Sequence, residues 1–568
     1  MRGLMMDYQL TLPTLLRRAE SLFAHKEIVT RLPDRSIHRC TYGELAVRVK
    51  KLAAALHRLG VRQGDRVATL SWNHSQHLEA YFAVPCMGAV LHPLNIRFSA
   101  DDLSYIVNHA EDKVLIVDQV LLPLFEQFKD RVNPSRVIVI PQAGTDAGFG
   151  AGSGGRAWTD AGFGAGSGFG ESRVAAGYLD YEDVVASGDA SLFEPFEADE
   201  YAAAFLCYTS GTTGRPKGVL YSHRSILLHS MTSLFSCCGI GVTETDVVLP
   251  IVPMFHAGAW GFPYNCTLAG ATQVFPGPYL DAESLLELFE GERVTVTAAV
   301  PTVLRNILVA LDADPQKYGL CLRVFLVGGS GVSRHLVASF ADRYGIRVVS
   351  SWGMTEMSPT GSTAVVSSRL QKASKEEQLD YAIKPGLPAP FVEIRARDEH
   401  GFIPWDGVRT GELEVRGPWV CSSYYRGAES DGRFTSDGWL RTGDIVSITE
   451  DGWIDIKDRS KDVIKSGGEW ISSIALENAL MGHPSVHEAA VIAIPDPKWV
   501  ERPFAYVVPK AGMAVSPAEL QAFLRGQFAK FWMPDGYAIV DAIPKTSVGK
   551  FLKSALRAQY INEHPPRD

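Results

Sequence analysis

Residues 208–218 read YTSGTTGRPKG, and the apolar run from Ala202 to Cys207 stands directly before them. That run is short enough to be a buried strand. Glycines let backbone N–H groups approach an anion closely, hydroxyl groups add donors, and a lysine supplies a positive point charge. The stretch combines Lys217 with the glycines and hydroxyl residues Thr209, Ser210, Gly211, Thr212, Thr213, Gly214 and Gly218. The pattern predicts a phosphate-binding loop at the end of a strand.

Two other interpretations of residues 208–218 compete with this one. A flexible surface loop rich in glycine and threonine would have a similar composition. The Walker loop is excluded, because no Gly-Lys-Ser/Thr follows a first glycine at the required spacing. Composition alone does not separate a phosphate loop from a surface loop, so the rest of the chain has to decide.

The length and composition set broad limits. The chain has 568 residues, 46% of them hydrophobic and 21% charged, which indicates an ordinary soluble protein of more than one domain. Its net charge of −9 without a basic stripe argues against a nucleic-acid partner. The eight cysteines form no CxxC pair, so zinc and redox motifs are not expected, and free cysteines suit the cytoplasm. No signal peptide or membrane span is predicted, so any membrane association would be peripheral.

Strand-like and helix-like segments alternate through most of the chain. Residues 44–59 are amphipathic and predict a helix, whereas residues 66–72 and 114–118 predict strands. This alternation favours an α/β fold with a largely parallel sheet covered by helices. Residues 390–460 differ, because short alternating runs are separated by Asp-Gly turns, and they predict a small antiparallel β subdomain.

The end of the chain predicts a separate, smaller α+β unit. Residues 488–494 are strand-like, and residues 516–519 combine an N-cap, a proline and a capping-box glutamate for a helix expected to run to about Phe528. Residues 455–468 are charged and end in glycine, as a hinge would. The expected division is an N-terminal domain, a hinge and a mobile C-terminal domain at residues 1–458, 459–465 and 466–568.

Residues 142–172 interrupt this organisation. The sequence TDAGFGAGSG occurs at 145–154 and again at 159–168. Gly150, Gly152 and Gly155 satisfy a GxGxxG pattern, but a dinucleotide site needs a tight strand–turn–helix, and no helical pattern follows. We interpret the segment as a flexible surface insertion.

The order of motifs along nearly the whole chain resembles the adenylate-forming enzymes, which include acyl-CoA synthetases, luciferases and the adenylation domains of peptide synthetases. The motifs are YTSGTTGRPKG at 208–218, SWGMTE at 351–356, RTGD at 441–444, DRSKD at 458–462 and PKTSVGK at 544–550. Each short motif is weak alone, and their shared order is what is specific. The resemblance implies ATP, Mg²⁺ and coenzyme A, with a carboxylic acid activated as acyl-AMP.

The resemblance also implies roles for individual residues. Thr209 and Glu356 would hold Mg²⁺, and with Lys550 they would form the catalytic set, since positive charge stabilises the carboxylate and α-phosphate during adenylation. Asp444 would bind both ribose hydroxyls, and Trp352 would lie beside the adenine, where the family more often has tyrosine. The implied ATP site comprises Thr209, Ser210, Gly211, Thr212, Thr213, Lys217, Gly329, Ser330, Ser351, Trp352, Gly353, Met354, Thr355, Asp444, Arg459, Lys461, Lys465 and Lys550.

Two further segments carry implied roles. Lys461 would be the hinge residue, and the glycines after it would let pantetheine pass close to the backbone in a CoA tunnel formed by Ser466, Gly467, Gly468, Glu469 and Trp470. PMFHAGAWG at 253–261 resembles the acyl-pocket motif. There His256 would be a wall residue, with a buried core histidine as the competing interpretation, and Trp260 would be a gate between the ATP site and a fatty-acid tunnel. Gly258 stands where the family's bacterial enzymes usually have asparagine.

The finer likeness is to bacterial medium- and long-chain fatty-acyl-CoA synthetases, with methylthiopropionate CoA ligases near them. It rests on KSGGEWISS at 465–473, ENALMGHP at 477–484 and PKWVERP at 497–503. The resemblance implies a homodimeric fatty-acid–CoA ligase. A ligase for short-chain or methylthiopropionate-type acids, and an acyl-AMP ligase that loads a carrier protein, stay open. A luciferase-like oxygenase and a binding-only pseudoenzyme are weaker alternatives.

Overall fold

The computed structural model describes residues 1, 3–141, 177–209, 215–235, 240–427, 432–467, 469–545 and 551–564, so the predicted insertion at 142–172 lies outside the described residues. The helices are α1 (Pro13–Leu22), α2 (Tyr42–Arg58), α3 (Ser75–Cys86), α4 (Ala100–Ala110), α5 (Leu122–Glu126), α6 (Tyr181–Ser187), α7 (His223–Leu234), α8 (Phe262–Ala269), α9 (Ala282–Gly291), α10 (Pro301–Ala313), α11 (Arg334–Tyr344), α12 (Lys375–Ala382), α13 (Ser473–Met481), α14 (Pro517–Leu524) and α15 (Lys553–Glu563).

The strands are β1 (Glu27–Arg31), β2 (Ile37–Thr41), β3 (Arg66–Leu70), β4 (Val90–Pro93), β5 (Asp112–Asp118), β6 (Arg136–Ile140), β7 (Leu179–Asp180), β8 (Ala203–Tyr208), β9 (Gly218–Ser222), β10 (Val247–Pro250), β11 (Thr272–Phe275), β12 (Val296–Ala299), β13 (Val324–Val327), β14 (Arg347–Gly353), β15 (Thr360–Thr363), β16 (Leu387–Pro388), β17 (Glu393–Asp398), β18 (Gly401–Phe402), β19 (Gly411–Arg416), β20 (Leu440–Ile448), β21 (Ile454–Arg459), β22 (Ile464–Ser466), β23 (Glu469–Ile471), β24 (Val486–Asp496), β25 (Val500–Pro509) and β26 (Gly536–Ile539).

Two largely parallel sheets form the body of the molecule. The nine-stranded sheet has the order β16-β15-β14-β13-β12-β10-β11-β1-β2, and the seven-stranded sheet has the order β7-β6-β5-β3-β4-β8-β9. Antiparallel pairs occur toward the edges, as between β1 and β2 or β8 and β9. The α/β class that the alternation of segments predicts is therefore confirmed.

One apolar core connects the two sheets through helices α2, α3 and α8. Helix α2 begins with a capping box between Thr41 and Glu44, and its apolar stripe is fully buried at Leu45, Val49, Leu52 and Leu56. Helix α2 packs on α3, and α3 contacts β3, β4 and β8 of one sheet and β1 of the other, so the helical layer joins the two sheets.

A third and a fourth sheet complete the fold. Strands β18-β17-β19-β20-β21 form an antiparallel sheet, which confirms the interpretation of the Asp-Gly-rich region. Strands β23-β22-β25-β24, with β26 beside β25, form the sheet of the smaller C-terminal unit, with α13 and α15 packed on β24. The exact limits of the domains and the hinge at 459–465 stay a prediction.

One predicted helix is shorter than expected. Helix α14 has the capping box of Ser516 and Glu519, but it ends at Leu524 rather than near Phe528. Arg525 leaves the helical region with a ψ of 132°, and Gly526 follows with a φ of 87°. Within the described ranges, no helix combines the length and apolarity needed to cross a membrane.

Candidate active site

A cavity of about 520 Å³ lies where the large sheets, the antiparallel sheet and the C-terminal unit meet. Residues that end or follow β10, β12, β13 and β14 line it, together with Thr209 after β8. Crevices at the carboxyl ends of parallel strands are where open α/β sheets bind ligands. Arg459 at the end of β21 and Phe551 of the C-terminal unit close the cavity from the other side.

The cavity brings many of the predicted site residues together. Those that line it are Thr209, Lys217, His256, Trp260, Gly329, Ser351, Trp352, Gly353, Met354, Thr355, Glu356, Arg459 and Lys461. Predicted residues that are described but do not line it are Ser330, Asp444, Lys465, Ser466, Gly467 and Trp470. The side chain of Glu469 is not described. The other predicted residues lie outside the described residues: Ser210, Gly211, Thr212, Thr213, Gly468 and Lys550.

The two ends of the predicted phosphate loop are hydrogen-bonded to each other. The backbone N–H of Thr209 donates to the carbonyl of Lys217 at 2.9 Å, and the N–H of Lys217 donates to Thr209 Oγ1 at 3.2 Å. Strands β8 and β9 continue this pairing antiparallel, with Tyr208 opposite Gly218. The Lys217 ammonium also lies over the Tyr424 ring, 5.2 Å from its centroid. The loop therefore begins and ends on a rigid hairpin, with a hydroxyl and an ammonium facing the cavity.

Trp352 and Asp444 form a hydrogen-bonded pair at the opposite wall. The indole Nε1 of Trp352 donates to Asp444 Oδ2 at 2.9 Å, and Arg459 Nε lies 2.8 Å from Asp444 Oδ1. Asp444 is buried behind Thr442 and Gly443, which line the cavity themselves. The Trp352 ring packs on Gly361, where an added Cβ would come within 2.4 Å of the indole. The indole is thereby fixed in orientation, because any residue larger than glycine at 361 would displace it.

Glu356 lies buried in a short turn after β14, and two residues that the motifs did not predict reach it. Tyr424 Oη donates to Glu356 Oε1 at 2.8 Å, and Arg433 Nη2 lies 3.6 Å from the same oxygen. Burial and the neighbouring Glu356 raise the pKa of Tyr424 well above its ordinary value, so the phenol keeps its proton as donor. Both residues line the cavity. Neither stands in a recognisable motif, since the fold of the antiparallel sheet alone brings them to Glu356.

The carboxylate of Glu356 and the hydroxyl of Thr209 face the same cavity, and both are oxygen ligands. Mg²⁺ prefers oxygen ligands and is usually held by one or two carboxylates together with substrate phosphates. This donor set therefore fits a magnesium ion that arrives with a bound nucleotide.

The third wall is apolar. It is formed by Ile251, Val252, His256, Trp260, Leu280, Ala299, Val300 and Val303, and we call it the apolar wall. Arg97, which the motifs did not predict, also lines the cavity, with its guanidinium 5.7 Å from the centroid of the Phe255 ring. Burial lowers the pKa of Arg97 to about 9, so a positive group lies in poorly hydrated surroundings next to apolar side chains.

Trp260 lies in a turn whose backbone is in the left-handed conformation. Five consecutive residues have positive φ, at 40°, 57°, 48°, 56° and 82° from Ala257 to Gly261. A left-handed conformation costs about 1–2 kcal/mol for each residue with a Cβ, so packing must stabilise the turn. The Trp260 ring packs on Gly328, where a Cβ would lie 3.1 Å from it, and Gly261 packs on His229. The strained turn places the indole between the glycines after β13 and the other residues of the apolar wall.

The C-terminal unit presents one of its two predicted functional segments to the cavity. Lys461, Asp462 and Phe551 line the cavity, and Phe551 directly follows Lys550 in the chain. Ser466 is buried instead against Arg502, whose Nη1 donates to its Oγ at 3.1 Å, and Trp470 is 41% exposed. The described part of the predicted CoA loop therefore lies away from the cavity in this arrangement.

Comparison with known proteins agrees with this geometry. The AMP-binding enzyme family matches residues 17–425, and the AMP-binding enzyme C-terminal domain matches residues 475–550. A long-chain-fatty-acid–CoA ligase of Thermus thermophilus is 47% identical over 98% of this chain and 97% of its own length. A 3-methylmercaptopropionyl-CoA ligase of Ruegeria lacuscaerulensis is 39% identical over 99% of both chains.

A solved structure has the same fold. The crystal structure of an anthranilate CoA ligase in complex with anthranoyl-AMP superposes with a TM-score of 0.82 over 98% of both chains, at 22% identity. The two family matches and the relatives of nearly full length decide the classification. The chain belongs to the AMP-binding enzyme family, among its AMP-forming acid–CoA ligases.

Proposed function

We propose that the protein joins a medium- or long-chain fatty acid to coenzyme A, through acyl-AMP, at the expense of ATP. The observation that carries the proposal is a cavity in which a polar wall suited to a nucleotide meets the apolar wall at Trp260. A ligase for short-chain or methylthiopropionate-type acids is the second candidate, because the relative that is 39% identical is a 3-methylmercaptopropionyl-CoA ligase.

The first half-reaction is adenylation. A carboxylate oxygen of the acid attacks the α-phosphorus of ATP in line, the bond to the β-phosphate bridging oxygen breaks, and pyrophosphate leaves. Lys217 and the N–H groups of the phosphate loop bind the phosphates, and Lys550 stabilises the charge that develops on the carboxylate and α-phosphate. Thr209 and Glu356 would hold a magnesium ion, which would supply positive charge next to the phosphates. Asp444 would accept from the ribose hydroxyls, for which each carboxylate oxygen keeps a second lone pair. Because Asp444 is buried and does not line the cavity in this arrangement, that contact requires Thr442 and Gly443 to move aside.

The second half-reaction is thioester formation. The sulfur of coenzyme A attacks the acyl carbon, the bond to the phosphate oxygen breaks, and AMP leaves. No cysteine of the protein is needed as a nucleophile. We place the domain boundary at residues 459–465, so that rotation about Lys461 replaces the Lys550 segment at the cavity by the loop at 466–470, whose glycines make room for pantetheine. The protein is also proposed to be a cytoplasmic homodimer.

Chain length is the property that separates the two candidates. Each methylene of the acid that is buried against an apolar wall improves its binding free energy by about 0.8 kcal/mol, so a long tunnel favours long acids. The test is kcat/KM for CoA-ester formation over straight-chain acids from about three to about eighteen carbons, with 3-methylthiopropionate as a further substrate. We expect the maximum at or above octanoate. A maximum at three carbons or with 3-methylthiopropionate would favour the second candidate, and acyl transfer only to a carrier protein would overturn both.

A further inference from the structure

A buried carboxylate joins the antiparallel sheet to the C-terminal unit. Asp458 lies in β21 with only 1% of its surface exposed, and it is paired with Ile445 of β20. Its Oδ2 accepts hydrogen bonds from the backbone N–H of Ser473 at 2.6 Å and from Ser473 Oγ at 2.5 Å. Ser473 is the first residue of α13, which packs on the C-terminal sheet. We call this pair the Asp458–Ser473 contact, and it spans residues 459–465.

The surroundings of the contact are polar and closely bonded. Ser472 caps α13 and its Oγ donates to the carbonyl of Lys457, which adds a second hydrogen bond between the same two segments. Lys553 Nζ, at the start of α15, donates to Ser473 Oγ at 2.6 Å and lies 2.6 Å from Glu477 Oε1. The carboxylate also faces the N-terminus of α13, where backbone N–H groups favour negative charge. Asp458 Oδ2 is thus matched by donors that belong to the C-terminal unit, whereas Oδ1 accepts from the backbone N–H of Arg459 at 2.8 Å.

A rotation of the chain at Lys461 would keep some contacts of this cluster and break others. Lys553 and Glu477 both belong to the C-terminal unit, so their ion pair would move as one body. Asp458 belongs to the antiparallel sheet, so the same rotation would separate its carboxylate from Ser473 and Lys553. Because a buried carboxylate without its donors is unfavourable, the contact stabilises specifically the arrangement in which it is formed.

We propose that Asp458 and Ser473 are positioning residues that hold the C-terminal unit in the arrangement for acyl-AMP formation. The proposal rests on the proposed function, of which the hinge at Lys461 is a part. In the arrangement where the contact exists, Phe551 lines the cavity, whereas Ser466 and Trp470 do not. The contact therefore favours the first half-reaction and has to break before the second.

The test measures the two half-reactions separately in full-length variants. Acyl-AMP formation is followed by pyrophosphate release from octanoate and ATP without coenzyme A, and thioester formation is followed from supplied octanoyl-AMP and coenzyme A. Asp458→Asn and Ser473→Ala should slow the first about tenfold, the scale for losing a hydrogen bond to a charged group, and leave the second unchanged or faster. Ser473→Thr keeps both donors and should restore the first rate.

Asp455→Asn is the matched control. Asp455 lies on the same strand but bonds Lys457 and Lys384 within the large part of the molecule, so both rates should stay at the wild-type level. Equal slowing of both half-reactions in Asp458→Asn, or no change in either, would overturn the proposal. If wild type itself makes neither acyl-AMP nor thioester, the proposed function fails instead.

A second readout needs no substrate. Trypsin cleaves after Arg459, Lys461 and Lys465, so the rate of cleavage within 459–465 reports how often the hinge opens. We expect cleavage of Asp458→Asn to be several-fold faster than that of wild type and of Asp455→Asn at an equal melting temperature. Equal cleavage rates in the three proteins would contradict the proposal even if the enzyme proved to have another substrate.

Discussion

The apolar wall and the hinge side of the cavity are built in opposite ways. The apolar wall carries Trp260 on a strained, left-handed turn that is buried against His229 and Gly328. The hinge side, formed by Arg459, Ser460, Lys461, Asp462 and Phe551, has ordinary backbone geometry but stands on a buried cluster of charges. Packing on both large sheets fixes the first wall. Hydrogen bonds to charged groups hold the hinge side. Such bonds can break and form again without disturbing the packing of a core.

The two walls are suited to different purposes. A wall fixed by core packing cannot move far without leaving cavities in the core, so it is suited to selecting a substrate by shape. A wall held by a few charged contacts can exchange one segment for another at modest cost, so it is suited to separating two steps of a reaction. The following predictions test this division of roles.

The largest effect is expected on the hinge side. Lys550→Ala should reduce acyl-AMP formation by about 10²–10³-fold, the usual scale for losing one preorganised charge in a transition state. Thioester formation from supplied acyl-AMP should stay close to the wild-type rate, because the proposed mechanism uses the lysine only in the first step. Pyrophosphate release and thioester formation are the two measurements. An equal fall in both would mean that the hinge side does not separate the steps.

The next effect is expected at the apolar wall. Trp260→Ala should change the ratio of kcat/KM for octanoate and palmitate by about tenfold, because room for about two more methylenes is worth that much. KM for ATP should stay within about twofold. Trp352→Phe is the matched aromatic control, since it removes the hydrogen bond to Asp444 and should raise KM for ATP about tenfold without changing chain-length preference. If Trp260→Ala raised KM for ATP and Trp352→Phe changed the chain-length preference, the roles assigned to the two tryptophans would be wrong.

A smaller effect concerns pH and the charges beneath the hinge side. Burial raises the pKa of Glu477 to about 7, although Lys553 acts in the opposite direction. Because the folded state then binds more protons than the unfolded state between about pH 4.5 and pH 7, the free energy of unfolding should fall as pH rises through that range. Glu477→Gln should reduce the change of the free energy of unfolding with pH. The measurement is urea unfolding of the full-length protein, followed for the transition of the C-terminal unit.

Glu519→Gln is the control for the pH experiment, because Glu519 caps α14 in the same unit. Its hydrogen bonds from Ser516 lower its pKa, so its contribution is present at neutral pH and is lost as pH falls below about 4.5. Its replacement should leave the slope between pH 4.5 and pH 7 unchanged. A wild-type stability that rises across that range would contradict the assignment to Glu477.

The smallest effect is expected outside both walls. Deleting residues 145–168 should leave kcat/KM and the melting temperature nearly unchanged, since the segment is repetitive and short of core-forming residues. Activity assays and thermal unfolding of the deletion variant provide the check. A marked loss in either would show that the insertion contributes to one of the walls.

Residues of the polar walls can be singled out from the sequence because they lie in contiguous motifs. Thr209, Trp352 and Glu356 belong to short stretches that follow strands, and the strand ends bring them to one cavity. Arg97, Tyr424 and Arg433 were not predicted, because only the tertiary fold carries them there and no local pattern marks them. The same holds for the Asp458–Ser473 contact, whose partners are common residues in charged or polar surroundings.

The α14 helix and the Trp352–Asp444 bond mark a second kind of limit. The capping box defines where α14 begins, but its end depends on the backbone of Arg525 and Gly526, for which the amphipathic pattern gives no sign. The motifs placed Trp352 beside a base and Asp444 at a sugar. That their side chains bond each other follows only from the packing of β14 against the antiparallel sheet.

The left-handed turn at 257–261 inverts the ordinary rule of mutational tolerance. Glycine usually weakens a folded segment, but at Ala257 or Ala259 it would relieve a conformation that disfavours side chains. At Gly258 an added Cβ would meet only the Phe205 ring at 3.5 Å, and asparagine tolerates positive φ better than most residues. Natural variants of this pocket should therefore favour glycine, alanine and asparagine at positions 257–259, and libraries designed to change the acyl group should draw on the same three residues there.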